Sequence, residues 1–138
     1  MSTPEDDAAA GRRRADELVR LVAGDGSAAV ALLAGLTDLR ELVFVGAGLT
    51  AIARAEGRRL PPAQRAQAST RQLRLGQLRD AQRGDPEGLR TWLRRAAEEI
   101  LLLRSLQAAA DRADQLADGR AAASASGTAS TSRPATAT

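Results

Sequence analysis

The sequence contains no cysteine, histidine, tyrosine or lysine, and its only aromatic residues are Phe44 and Trp92. Each absence removes a class of chemistry. Without cysteine there is no disulfide, thiol nucleophile or thiolate ligand, and without histidine there is no imidazole base and none of the usual zinc ligand sets. Long apolar runs are also missing. The stretch from Ala28 to Ala53 is broken by Asp38, Arg40 and Glu41, so neither part reaches the ~20 residues that span a bilayer. The opening Met1-Ser2-Thr3-Pro4-Glu5-Asp6-Asp7 is acidic and has neither the basic nor the apolar part of a secretion signal. The expected setting is cytoplasmic, away from membranes.

What remains is 138 residues, 43% hydrophobic and 27% charged, the profile of one small domain. Of the 60 hydrophobic residues 31 are alanine, and all 20 basic residues are arginine, with a net charge of only +3. That total is too small to make the chain a nucleic-acid binder, so the distribution of charge carries more information. Alanine, leucine, arginine and glutamine dominate while β-branched residues are sparse, which predicts an all-α fold of four to five helices.

The first helix is expected from about Glu5 to Ala23, with Gly24 as its stop and Ala15, Leu18 and Val22 on its inner face. Asp25-Gly26-Ser27 caps a short second helix, Ala28 to Leu36, whose Val30, Leu32 and Leu33 should be largely buried. Thr37 is expected to cap a third helix reaching Glu56. There Leu42, Val45, Leu49, Ile52 and Ala53 form one stripe, with Val43 and Phe44 making the helix apolar all round at that level. Pro61-Pro62 breaks the chain before a fourth, arginine- and glutamine-rich helix over Ala63 to Gln82, whose Leu73, Leu75 and Leu78 allow only shallow burial. Asp85-Pro86-Glu87 places an N-cap carboxylate, a proline at the first helical position and an acid at the positive end of a fifth helix. Its seam is Leu89, Trp92, Leu93, Ala96, Ile100 and Leu103, and it is expected to end near Asp118. The third and fifth helices should be central. The domain is expected to span 1–119, followed by an Ala/Ser/Thr-rich disordered tail over 120–138 with nothing to form a core.

Four patterns bear on function. Gly46-Ala47-Gly48-Leu49-Thr50-Ala51 after Leu42-Val43-Phe44-Val45 has the form of a dinucleotide-binding turn, Gly-x-Gly-x-x-Ala. No second strand with an acidic residue follows about 20 residues on, so close helix packing at Gly46, Gly48 and Ala51 is the favoured reading and no cofactor is expected. Ala31, Gly35 and Leu36 have the spacing of a helix-turn-helix, yet the following helix would present Asp38, Leu39, Arg40, Glu41, Leu42 and Val43, where base and phosphate contacts need Arg, Asn, Gln, Ser or Lys on a solvated face. An αα-hairpin in the core is expected instead. From Arg54 to Arg83 there are eight arginines against Glu56 and Asp80, a local +6 that leaves −3 for the remainder. Arg65, Arg71, Arg74, Arg79 and Arg83 are the candidate contacts to an anionic partner, although they spread around the wheel and no aromatic residue interleaves for base stacking. Asp111, Asp114 and Asp118 share one helix face and are expected to pair with that arginine-rich segment or stay wet rather than hold a metal. Glu98 is expected to pair with Arg94.

So few reactive side chains predict a protein that is not an enzyme, with no catalytic residues, no metal and no cofactor. The expected function is a helical interaction or adaptor protein acting through a protein partner or a second copy of itself. Leu101, Leu102 and Leu106 lie off the main seam of the fifth helix and are the candidate homodimer interface. A nucleic-acid-associated regulator using residues 54–83 is the alternative.

Overall fold

The computed structural model describes residues 3–131, with side chains to residue 124. Its elements are α1 (Pro4–Gly24), α2 (Gly26–Gly35), α3 (Leu39–Arg58), α4 (Pro62–Ala81) and α5 (Pro86–Thr131), and there is no strand among the described residues. This is the all-α, five-helix fold that the composition predicts.

Short polar residues set the helix starts. At α1 the Thr3 hydroxyl accepts from the Asp6 amide while the Asp6 carboxylate accepts from the Thr3 amide, a reciprocal capping box one residue ahead of the expected start. Asp25 joins two helices. Its amide donates to Leu21 O at the end of α1, and its carboxylate accepts from Ala28 N to begin α2. The cap of α3 is Asp38, which accepts from Arg40 N, and not Thr37. A carboxylate makes the stronger charge-assisted bond to an orphan amide. Before α5, Gly84 carries the only positive φ among the described residues, +82°, and reverses the chain ahead of Asp85-Pro86.

The two expected seams are both buried. Leu42, Val45, Leu49, Ile52 and Ala53 of α3 face Leu89, Trp92, Leu93, Ala96, Ile100 and Leu103 of α5 in one core, joined by Ala15, Leu18 and Val19 of α1. Helix α3 packs on α1, α4 and α5, and α5 touches all four others, so these two helices are central. Three local expectations fail. Val43 is 56% exposed, so α3 is not covered all round. Val30 is 53% exposed and Leu32 half-buried, because α2 rests on α1 and α5 through Ala29 and Leu33 and its outer face has no neighbour. For the same reason α2 and α3 do not pack as an αα-hairpin.

The glycine pair of α3 lies inside a continuous helix with no strand before it, which removes the dinucleotide-turn reading. It is used for packing on two sides. A Cβ on Gly48 would stand 3.0 Å from Ala15 Cβ and 3.1 Å from Arg12 Cα, and one on Gly46 would stand 3.3 Å from the Trp92 ring. Ala51 is exposed and takes no part. The matching position on α1 is Gly11, where a Cβ would stand 2.6 Å from Phe44 O.

Helix α5 runs past Asp118 to Thr131, since alanine and serine after Gly119 are adequate helix formers. From Asp111 to Ser124 every side chain is exposed, so the stretch adds nothing to the core, as expected of it. Of the expected tail, 132–138 lie outside the described residues. No described helix is long and apolar enough to cross a membrane.

Gly11→Ala should lower stability by about 1–3 kcal/mol, because its methyl group meets backbone that cannot rotate away. Gly24→Ala, with nothing within 4 Å, should be neutral or stabilising by about 0.5 kcal/mol. Urea unfolding followed by Trp92 fluorescence distinguishes the two.

Candidate functional site

Helix α4 buries one side chain, Ala68, and leaves Leu73 67% exposed, with Leu75 and Leu78 half-buried. Polar contacts fix it over α3 and α5. The Trp92 indole N–H donates to Leu75 O at 2.7 Å, and Gln72 Nε2 donates to Ala53 O at 3.0 Å. Arg71 Nε donates to Glu99 Oε1 at 2.8 Å, with Glu99 only 12% exposed. The Arg79 guanidinium lies 5.7 Å from the centre of the Trp92 ring, a cation–π arrangement. The pairing of Glu98 with Arg94 forms as expected, at 3.3 Å.

The five candidate arginines do not converge. Arg71 and Arg79 are engaged in holding α4. Arg65 Nε donates to Leu60 O at 2.7 Å, closing the α3–α4 turn. Arg83 is exposed and loosely paired with Asp80 at 3.7 Å, and Arg74 is exposed without an ion pair among the described residues. A different grouping does form: Arg54 and Arg58 of α3 meet Arg65 of α4 around a recess of about 300 Å³, with Ser69 and Gln72 and no carboxylate in its lining. The i, i+4 spacing of Arg54 and Arg58, followed by the Pro61-Pro62 reversal, was the available signal in the sequence.

On α5, Leu101 and Leu106 are half-buried and pack against the core, while Leu102 is 43% exposed. Asp111, Asp114 and Asp118 are exposed and form no ion pair among the described residues. The expected pairing with the arginine-rich segment does not form among the described residues. No group of three or more potential ligands that could hold a metal occurs among the described residues. The sequence reading missed a second seam. Leu102, Leu106, Ala109, Ala113 and Leu116 recur at steps of four and three, which puts them within about 80° of arc on an ideal helix. On the same wheel the three aspartates continue the face that Leu89 to Leu103 turn to the core, so past the bundle that face becomes acidic while the second stripe stays apolar. Leu116 is 63% exposed.

Two further recesses flank α4. One, of about 390 Å³, is lined by Thr50, Gln72, Leu75, Arg79 and Trp92 among others. The other, of about 290 Å³, is mainly apolar, with Leu39, Leu42, Val43, Leu89 and Trp92. Their titratable lining is arginine and Asp80, and the Thr50 hydroxyl donates to Gly46 O. Neither lining pairs a nucleophile with a base.

Trp92→Phe deletes the donor to Leu75 O and leaves part of the indole's space in the core unfilled. It should cost about 1–3 kcal/mol and accelerate amide hydrogen exchange in α4 more than in α3. Equal acceleration in both helices would show that the indole bond is not what holds α4 in place.

Comparison of the chain with protein-family models, with curated proteins and with solved structures found no match.

Proposed function

We propose that this protein is a non-catalytic helical interaction protein that associates with a second copy of itself through α5. The observation that carries this reading is the second seam, Leu102 to Leu116, which starts on the bundle and continues along a helix whose side chains from Asp111 to Ser124 are all exposed. The stretch from Asp111 to Thr131 is about 30 Å long. A lone helix of that length is marginal in water, and its stability in proteins comes from packing an apolar face. The stripe is long enough to serve as such a face, and no described residue of its own chain covers it beyond Leu106.

A second copy suits the pattern because the stripe is complementary to itself. In an antiparallel pair centred on Ala109, Leu102 of one copy stands opposite Leu116 of the other, Ala109 meets its own copy, and Leu106 lies one residue out of step with Ala113. Leucine then meets leucine at the two ends of the seam and alanine meets alanine at its centre, and a two-fold axis closes the assembly. Within the earlier candidate set this assigns the contact to Leu102 and Leu106, with Leu101 turned toward its own bundle. The alternative, a nucleic-acid-associated regulator, has less support: Arg71 and Arg79 are engaged within the fold, and Trp92 is buried away from any base.

Light scattering at about 50 µM, within reach of a weak dimer, should report twice the chain mass. Leu116→Glu places like charges in the paired seam and should weaken association at least tenfold, or about 1.4 kcal/mol. Leu102→Glu should do the same. Trp92 fluorescence should be unchanged in Leu116→Glu, because that residue lies outside the bundle. A monomer for the unmodified chain at this concentration would overturn the proposal.

A further inference from the structure

We infer that the recess between the end of α3 and the start of α4 is a binding site for a compact, multiply charged phosphate anion, held by Arg54, Arg58 and Arg65. The first ground is charge. Eight arginines, Arg12, Arg14, Arg40, Arg71, Arg79, Arg83, Arg94 and Arg104, are ion-paired. The three around this recess have no ion pair among the described residues. Two of them stand at i, i+4 on one face of α3 and the third crosses from α4, with no carboxylate in the lining. Like charges at that spacing repel. The nearest acid in sequence, Glu56, is engaged elsewhere, bound by Arg104 of α5 at 3.3 Å. Three cations around a concavity without a counter-charge focus a positive field into it.

The second ground is the build of the recess. Arg65 is oriented by its Nε bond to Leu60 O, which leaves both terminal NH2 groups as donors. Gln72 is fixed by its bond to Ala53 O. Gly57 keeps the wall open, since a Cβ there would stand 2.8 Å from Gln72 Nε2. Ser69, one turn beyond Arg65, adds a hydroxyl. Planar guanidinium groups match the paired oxygens of phosphate and bind them bidentately. A volume of about 300 Å³ admits a short phosphate chain. An extended nucleic-acid backbone is a poorer fit, because the basic surface does not continue along α4 and no exposed aromatic residue offers a stacking platform.

The test is calorimetric titration with sodium tripolyphosphate at low salt. Binding should weaken at least tenfold in Arg58→Gln and in Arg54→Gln, whose exposed side chains make no ion pair among the described residues. Arg74→Gln removes the same charge from an exposed position of α4 outside the recess and should change affinity less than twofold. ATP offers the same triphosphate on a nucleoside. Comparable binding of ATP identifies a nucleotide's phosphate tail as a source, and binding of tripolyphosphate alone identifies a free oligophosphate; either supports the site. Absence of tripolyphosphate binding up to about 1 mM, a standard free energy near −4 kcal/mol, would overturn it. So would equal losses in Arg58→Gln and Arg74→Gln, or a single-stranded oligonucleotide that binds and is weakened equally by both, since charge would then be read diffusely.

Discussion

The close approach of α1 to α3 is the contact on which the rest of the bundle is built. More than half of the hydrophobic residues are alanine, so little area can be buried per side chain, and the helices must come near enough for backbone to touch backbone. Gly11, Ala15 and Gly48 provide that approach. Dispersion between closely packed atoms then replaces part of what larger side chains would contribute. With α1 set against one side of α3, the other side is free to receive α5. The ion pairs along the α1–α3 rim, Arg40 with Asp7 and Arg14 with Glu41, include exposed groups and add little to stability, although they fit the register.

Helix α4 obeys a different rule. Beyond the buried Ala68 and the half-buried Leu75 and Leu78, it is attached by an indole hydrogen bond, an amide, one ion pair and a guanidinium over a ring. A helix held by discrete polar contacts need not close on its support, and recesses remain along it. The arginine-lined recess is one of them. The same arginine-rich composition thus has two uses, with Arg71 and Arg79 turned inward as attachments and Arg54 and Arg58 left facing solvent.

Much of this was legible in the sequence, for identifiable reasons. The seams of α3 and α5 follow from helical periodicity, the entry to α5 from Asp85-Pro86-Glu87, and the shallow burial of α4 from its three isolated leucines. Helix caps were misread by a residue because Thr37 and Asp38 are both competent and only geometry chooses. The exposure of Val30 and Val43 was not legible, since an apolar residue reveals nothing of whether a neighbouring helix exists on its side. The partners distant in sequence were beyond reach for a related reason: Arg71 with Glu99 and Trp92 with Leu75 depend on how far α4 folds back after Pro61-Pro62. The seam from Leu102 to Leu116 was present in the spacing, but two of its five members are alanine and it overlaps a stronger seam on the same helix.

The exposure of α5 beyond Asp111 also bears on how long each molecule persists. Proteases cleave where backbone can open locally, and a lone helix rich in alanine and glycine opens far more readily than one packed in a core. A partner seated on the leucine stripe would shield that stretch, so clipping would slow as the number of copies rises. Turnover would then depend on abundance, with dilute molecules trimmed back to the bundle and crowded ones keeping the full length of the helix.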